Sequence, residues 1–354
     1  LKIAVHCDKQ TYGSGFTPKW IERLEGKGIE VVKVDLKKTD DLAKVKQCQG
    51  AMWHWFHSPE DKKMALGILQ NISECYKIPV FPNMHTCWSF DEKVLQNFFF
   101  IGSKCPHIQS WLFTSYAATK KFLSEEAQYP LVFKLSSGAG ASNVLLLKSY
   151  NEAVHYAEKM FLNGIFPYTI NEFSPTVFKF GIKYELKNLL KRIFYAMRYI
   201  SQQEYPPLPE YYLAQKGYFY VQKFLPNNAY DIRITTIGKR TFGFIRYNRN
   251  GDFRASGSGV IDYDKEKIPL KAVKIAQEIS RKYHFQSMAY DFLLDEKGEP
   301  LIGEISYGFA DVAIYNCEGY WDEKMAWISG HVWPEYAHVD DFINEIEIVQ
   351  RNNI

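Results

Sequence analysis

The chain has 354 residues, enough for about two or three domains with their own hydrophobic cores. Its 46% hydrophobic and 23% charged content is that of an ordinary globular protein, and a formal net charge of +3 is too small to imply nucleic-acid binding by itself. The six cysteines, Cys7, Cys48, Cys75, Cys87, Cys105 and Cys317, are scattered without a CxxC pair. That excludes a zinc knuckle or a small disulfide scaffold and fits reduced thiols in a cytoplasm. No apolar run reaches about 18 residues and no signal-peptide layout precedes the first strand, so the expectation is a cytosolic chain. Aromatic residues are abundant, with 24 Tyr, 25 Phe and 8 Trp; they suit stacking on bases or sugars as well as large aromatic cores.

In chain order, KIAVHCD (2–8) predicts a buried strand. Thr17-Pro18 before KWIERLEGKG predicts a helix with Thr17 as N-cap and Gly26 or Gly28 as the stop. IEVVKVDL (29–36) and GAMWHWF (50–56) are further strands, a helix follows over about 60–76, and IPVFPN (78–83) is a fourth strand. Strands alternating with helices imply a parallel sheet with right-handed crossovers. The first turn, DKQTYGSGF, lacks GxGxxG spacing, which disfavours a Rossmann dehydrogenase. From residue 89 the pattern changes to an α+β body. It has a helix over about 90–101, strands near 110–113 and at PLVFKLS (130–136), and a loop GAGASN (138–143). A strand VLLLK and a helix from Asn151 follow. Mostly β segments run from 217, with a helix at about 269–283 and a hairpin MAYDFLLDEKGEPLIGEIS (288–306). Residues 164–216 fit neither part. Within them the stretch FKFGIKYELKNLLKRIFYAMRYI (178–200) sets Lys179, Lys183, Lys187, Lys191, Arg192 and Arg198 against a single acid, Glu185, among aromatics. This suits an interfacial helix on anionic lipid, a grip on an acidic substrate, or a solvated helix face.

The candidate chemistry starts in the hairpin. A turn centred near Lys297-Gly298 sets Asp291 opposite Glu304 on one face, where like charges repel. Two hard carboxylates aimed at one point suit Mg²⁺, a surface acid pair being the plainer alternative, and neutralising either acid is expected to relieve the repulsion. Lys134 lies within an apolar strand, where its head group needs an anion or a route to water. The small-residue loop Gly138, Ala139, Gly140, Ala141 and Ser142 follows, and such loops let backbone N–H groups approach phosphate.

The order DEK (91–93), PLVFKLSSGAGASNV (130–144), VQKFLP (221–226), DIR (231–233), NGDFRASGSG (250–259), YDFLLD (290–295) and EIS (304–306) resembles the ATP-grasp superfamily. The likeness is to the branch of glutathione synthetase and the ribosomal-protein glutamate ligases. MWHWFHSPEDKKMALGIL with PNMHTCWSFDEK further resembles ATP-grasp proteins encoded among bacterial surface-polysaccharide genes. The resemblance implies a division into a pre-ATP-grasp α/β domain (1–88), a small lobe (89–163), a basic and aromatic insertion (164–216) and a large lobe (217–354). It implies ATP and Mg²⁺ as cofactors. Lys93, Lys134 and Gly138 to Ser142 would contact phosphates. Gln222, Lys223, Phe224 and Leu225 would form the adenine-pairing hinge, with Asp231 near the ribose or triphosphate. Arg233 and Arg254 would be catalytic, and Asp291, Glu304 and Ser306 would hold metal. Two departures stand out: Ser306 replaces the usual Asn ligand, and Lys223 replaces a usual hinge acid.

The activity implied is joining a carboxylate to an amine or thiol through an acyl-phosphate. A phosphotransferase and a non-catalytic nucleotide-binding module are the alternatives. Expected partners are small-molecule or saccharide-linked carboxylates and amines and no nucleic acid. Further expectations are a homodimer and a peripheral contact of residues 179–200 with the inner face of a membrane. His54, His57 and Tyr12-Gly13-Ser14-Gly15 sit where loops of an α/β sheet receive ligands; for each, local packing is the alternative.

Overall fold

The structure, a computed structural model, describes residues 1–8, 15–55, 57, 59–138, 143–167, 197, 214–249, 251–255 and 258–352. The chain forms two compact units: Leu1–Phe56 with Lys62–Ile108 and Leu225–Ile354, and His57–Asp61 with Gln109–Phe224. This grouping is by compactness, whereas the four-part division read from the sequence is by role.

The first unit opens with a parallel sheet of β1 (Lys2–His6), β2 (Glu30–Val34), β3 (Gly50–Met52) and β4 (Val80–Phe81), in the order β2-β1-β3-β4. The helix Thr17–Gly26 buries Trp20, Ile21 and Leu24 against Ile3 and Val5 of β1 and against Phe342 and Ile346 of the helix Pro334–Asn352. The expected N-cap is displaced by one residue. Phe16 occupies the cap and Thr17 is the first helical residue, its buried hydroxyl having no hydrogen-bond partner among the described residues.

The second unit is an antiparallel sheet of β5 (Ser110–Phe113), β6 (Leu131–Lys134), β7 (Val144–Leu147) and β8 (Phe219–Lys223), ordered β5-β8-β6-β7. Two helices, Tyr116–Glu125 and Tyr150–Leu162, begin at Ser115 and Ser149, whose side chains accept from the N–H of Ala118 and Glu152. Such caps satisfy donors that a helix start leaves open. Leu131 and Phe133 face a core with Phe122, Tyr156, Met160 and Phe219. Side chains alternate along a strand, so Val132 and Lys134 face the other side.

The remainder of the first unit is a seven-stranded sheet. Its strands are β9 (Tyr230–Ile237), β10 (Arg240–Tyr247), β11 (Ile261–Asp262), β12 (Ser287–Leu294), β13 (Pro300–Ser306), β14 (Gly319–Trp321) and β15 (Trp327–Ser329). The order is β13-β12-β9-β10-β14-β15, with β11 paired to β10. The helix Leu270–Lys282 covers one face. Its Val273, Ala276 and Ile279 pack with Ile232, Ile234, Ile245, Tyr290, Phe292, Ile302 and Ile305. Each fully buried large side chain contributes roughly 1.5–3 kcal/mol.

One irregularity sets the site. From the turn, β12 and β13 pair Leu294 with Pro300, Leu293 with Leu301 and Phe292 with Ile302; an extra residue, Gly303, then intervenes before Asp291 meets Glu304. The expected turn centre would have placed Phe292 opposite Gly303, so the sequence-based register is off by one at the turn and correct at the acids. The bulge has a packing cause. A regular strand would send Ile302 and Ile305 to opposite faces, whereas the extra residue lets both enter the same core and leaves Glu304 and Ser306 on the far side.

Candidate active site

On the face of the seven-stranded sheet away from the helix, β9 supplies Asp231 and Arg233, β10 Arg246, β12 Asp291 and β13 Glu304. Register places Asp231 opposite Arg246, Arg233 opposite Asp291, and Asp291 opposite Glu304. Arg233 grips Asp291 with both arms, Nε on Oδ1 and Nη2 on Oδ2 at 2.9 Å. Arg246 holds Asp231 through Nε at 2.7 Å and Nη2 at 2.6 Å, and the same Nη2 lies 2.9 Å from Asp291 Oδ1. Burial works against the Asp291 carboxylate, but Arg233 and Arg246 hold its pKa at about 2. Asp231 moves the other way: burial and the Asp291 charge push it up, against the pull of Arg246. For Arg246 burial favours the neutral form, and the two aspartates outweigh it, raising its pKa.

Glu304 is answered by Lys93, whose Nζ is 3.2 Å from Oε1 although the lysine is only 4% exposed. The positioning is local. Lys93 opens the helix Lys93–Ser103 two residues after Asp91, a left-handed residue with φ 53°. One turn on, the Gln96 amide donates to Ile305 O at 2.8 Å and accepts from Ile305 N at 3.2 Å. Gln96 thereby splices this helix to the edge strand β13 and sets Lys93 over the neighbouring Glu304.

The repulsion expected of Asp291 and Glu304 is therefore offset by side chains, and neutralising Asp291 would strand two guanidiniums rather than relieve strain. The Ser306 hydroxyl donates to Gly308 O at 2.8 Å and accepts from Gly308 N at 3.2 Å, so its lone pairs are already engaged in a local turn. Among the described residues no group of three or more His, Cys, Asp or Glu could hold a metal. The donors that do fit Mg²⁺ are the two carboxylates on one face, hard oxygens in the number that ion takes from protein when phosphate and water complete its shell.

In the second unit, Lys134 stands at the end of β6, half-buried and opposite Val144. The loop it leads into is anchored at its roots. Ser136 N–H donates to Gln215 Oε1 at 2.9 Å and to the Tyr218 hydroxyl at 2.7 Å, and Asn143 Nδ2 donates to Ser137 O at 2.8 Å. Gly138 has φ 128°, and a Cβ there would come within 2.1 Å of Asn143 Nδ2; only glycine fits. Ala139, Gly140, Ala141 and Ser142 lie outside the described residues. Gln222 is buried and donates to the Tyr220 hydroxyl at 2.9 Å, on the Lys134 side of the sheet. Lys223 is exposed with its N–H given to Gln109 O at 2.8 Å, Phe224 is half-buried and Leu225 buried.

Arg254 is held by its own loop. Its Nη2 and Nε reach the Asp252 carboxylate at 2.6 and 2.9 Å, and although burial opposes it, this contact keeps the Asp252 pKa low. The His54 ring is buried, stacks on Phe16 at 4.2 Å and accepts from Phe16 N–H at 3.5 Å. His57 is half-buried. Tyr12, Gly13 and Ser14, and residues 179–200 apart from Met197, lie outside the described residues. Among the described residues no helix is long and apolar enough to cross a membrane.

Arg246 and Gln96 were missed by sequence reasoning. Arg246 was accessible to it, since a hairpin centred on Gly238-Lys239 pairs residue 231 with 246 by the counting used for Asp291 and Glu304. Gln96 carries no such signal.

This mixed architecture, with a parallel sheet at its start and antiparallel sheets after it, matches the fold of solved ATP-grasp proteins. It matches the structure of a RimK domain ATP-grasp protein from Sphaerobacter thermophilus at 13% identity and TM-score 0.54, over 97% of this chain and 100% of that one. It also matches D-alanine–D-alanine ligase from Bacillus anthracis at 14% identity and TM-score 0.55, over 100% and 99%. The macrocyclase MdnC of Microcystis aeruginosa, bound to its precursor peptide MdnA, matches at 12% identity and TM-score 0.57, over 97% and 100%. At these identities the likeness is one of fold. No family model and no curated protein matches the sequence.

Proposed function

We propose that this chain is a magnesium-ATP-dependent ligase that joins a carboxylate to an amine, or to a thiol, through an acyl-phosphate. The observation that carries the reading is the charged sheet face, where Asp291 and Glu304 stand across one strand pair among Arg233, Arg246 and Lys93. Asp291 and Glu304 would hold magnesium, which when bound would neutralise phosphate charge and polarise the phosphoryl group. Ser306, engaged with Gly308, is the weaker third donor. Arg233 would steady the transferred phosphoryl group, since a planar fork suits phosphate. Lys93 would meet phosphate as a point charge, and Asp231 would keep Arg246 aimed across the site. Lys134 and the loop from Gly138 keep their expected phosphate role, Gln222 to Leu225 the adenine role and Arg254 the substrate-carboxylate role.

In the reaction a substrate carboxylate oxygen takes the γ-phosphoryl group and ADP leaves. The amine nitrogen then bonds to the acyl carbon, the carbon–oxygen bond to phosphate breaks, and the amine gives up a proton. Protein groups contribute mainly by positioning and charge neutralisation. The ligase named among the matched structures supports this reading over a phosphotransferase. The four-part division, a cytoplasmic location, a saccharide-linked substrate, a homodimer and membrane contact at 179–200 rest on the sequence alone.

The test is incubation of the chain with Mg-ATP and fractionated small-molecule extract, read by ADP release and by the mass and bond type of any product. An amide or thioester supports the ligase and a phosphoester the phosphotransferase. No ADP with any fraction would leave a nucleotide-binding module.

A further inference from the structure

Asp291 accepts guanidinium hydrogens from Arg233 at both oxygens, and Arg246 adds a second contact and a second positive charge at Oδ1. Arg246 is shared, since its Nη2 also serves Asp231. With Lys93 on Glu304, the named acids and bases of this face neutralise one another. A magnesium ion on Asp291 would need an oxygen at about 2.0–2.1 Å that here serves a guanidinium, beside two fixed positive charges. Arginine does not yield by losing a proton; it can only move. A polyphosphate offers it a place to go, because its oxygens match the same planar fork.

We propose that Arg246 is a built-in competitor of the metal at Asp291, so that the site takes a divalent cation well only together with a polyphosphate that draws the guanidinium away. The identity of the ligands rests on the function proposed above; the competition itself is between residues whose contacts are described. Arg246 is in this sense a positioning residue. It keeps Asp291 and Glu304 from collecting a metal ion alone, and couples metal entry to nucleotide entry. Linkage makes the coupling reciprocal: the nucleotide must tighten the metal by the same factor as the metal tightens the nucleotide.

The experiment uses the full chain with Mn²⁺ as a paramagnetic probe, titrated alone and with a non-hydrolysable ATP analogue. In the wild type the analogue should tighten Mn²⁺ by about tenfold or more. Arg246→Met should bind Mn²⁺ alone about tenfold more tightly than the wild type, with a smaller further gain from the analogue. Arg246→Lys keeps the charge and should bind Mn²⁺ alone less tightly than Arg246→Met. A loosened fold would lose metal rather than gain it, so the predicted sign guards against misreading. Wild-type Mn²⁺ affinity that the analogue leaves unchanged, or a folded Arg246→Met that binds Mn²⁺ alone no better than the wild type, would overturn the proposal. If the analogue binds nothing, the nucleotide reading fails, and Mn²⁺ alone on Arg246→Met against the wild type still decides the competition.

Discussion

Two parts of the first unit bury titratable groups in opposite ways. Around the parallel sheet, burial keeps them neutral. His338 is enclosed with Trp20 Nε1 donating to its Nδ1 at 3.4 Å, and burial pulls its pKa down to about 3. Glu335, fully buried, is pushed up to about 8 by burial, with Asp311 adding to the rise, and Lys19 Nζ stands 3.9 Å away. On the charged face of the seven-stranded sheet, pairing keeps groups ionised: Asp291 is held at about 2 and Arg246 is raised. The difference teaches where chemistry can reside. A neutral buried group is a packing element, whereas a preorganised array of charges can exchange partners with a charged ligand.

The largest expected effect breaks the ionised array. Asp291→Asn should abolish ATP turnover and also lower stability by about 3 kcal/mol, the size expected when one partner of a largely buried pair is removed. Calorimetric or denaturant melts beside ADP-release assays would show both; undiminished stability would mean that the guanidiniums find water easily.

The neutral region is tested through pH. Folded Glu335 keeps a proton that the unfolded chain loses above its ordinary carboxyl pKa. Its burial is therefore tolerated fully at low pH, and stability falls as pH rises toward about 8. Glu335→Gln should remove this slope and leave the variant more stable than the wild type at pH 8, by about 2 kcal/mol. Parallel stability-against-pH curves would contradict the assignment.

Lys134→Met should weaken a non-hydrolysable ATP analogue by about 1–3 kcal/mol, the range of a lost charge-assisted contact. Calorimetry would measure it, and unchanged affinity would remove β6 from the nucleotide site. The smallest effect concerns the splice between helix and edge strand. Gln96→Ala strands two backbone groups of β13 and should cost about 1–2 kcal/mol, while loosening Lys93 over Glu304 and raising KM for ATP more than it lowers kcat.

Periodicity and turn residues located most of the elements, because strand alternation and helix stops are local facts. The helix Leu270–Lys282 and the hairpin Ser287–Ser306 fall within a residue or two of their expected bounds. Thr17 was misread because a Thr-Pro pair signals a helix start without fixing which residue caps it. Asp291 opposite Glu304 was readable by counting from a turn. The counting succeeded only because the bulge at Gly303 compensates a one-residue error, a tertiary effect set by the burial of Ile302 and Ile305. What the sequence could not show was the neutralisation of that pair by Arg233, Arg246 and Lys93, which depends on pairing across four strands and on Gln96 fixing a helix to an edge. The tryptophans of MWHWF, prominent in the sequence, are both buried: Trp53 stacks on His6 at 4.2 Å and Trp55 packs on Tyr307 at 5.0 Å. They carry packing rather than substrate information.

The central claim is that the charged face is a magnesium-nucleotide site, and Glu304→Gln tests it most directly. Glu304 is the more exposed of the two acids and its partner is a single lysine rather than two guanidiniums, so its amide variant disturbs the fold less than Asp291→Asn. Magnesium-dependent ADP release should fall by at least about a hundredfold, the loss of roughly 2.7 kcal/mol of transition-state stabilisation, with a smaller fall in melting temperature than in Asp291→Asn. A variant that releases ADP at the wild-type rate, with the same magnesium dependence, would place the site elsewhere.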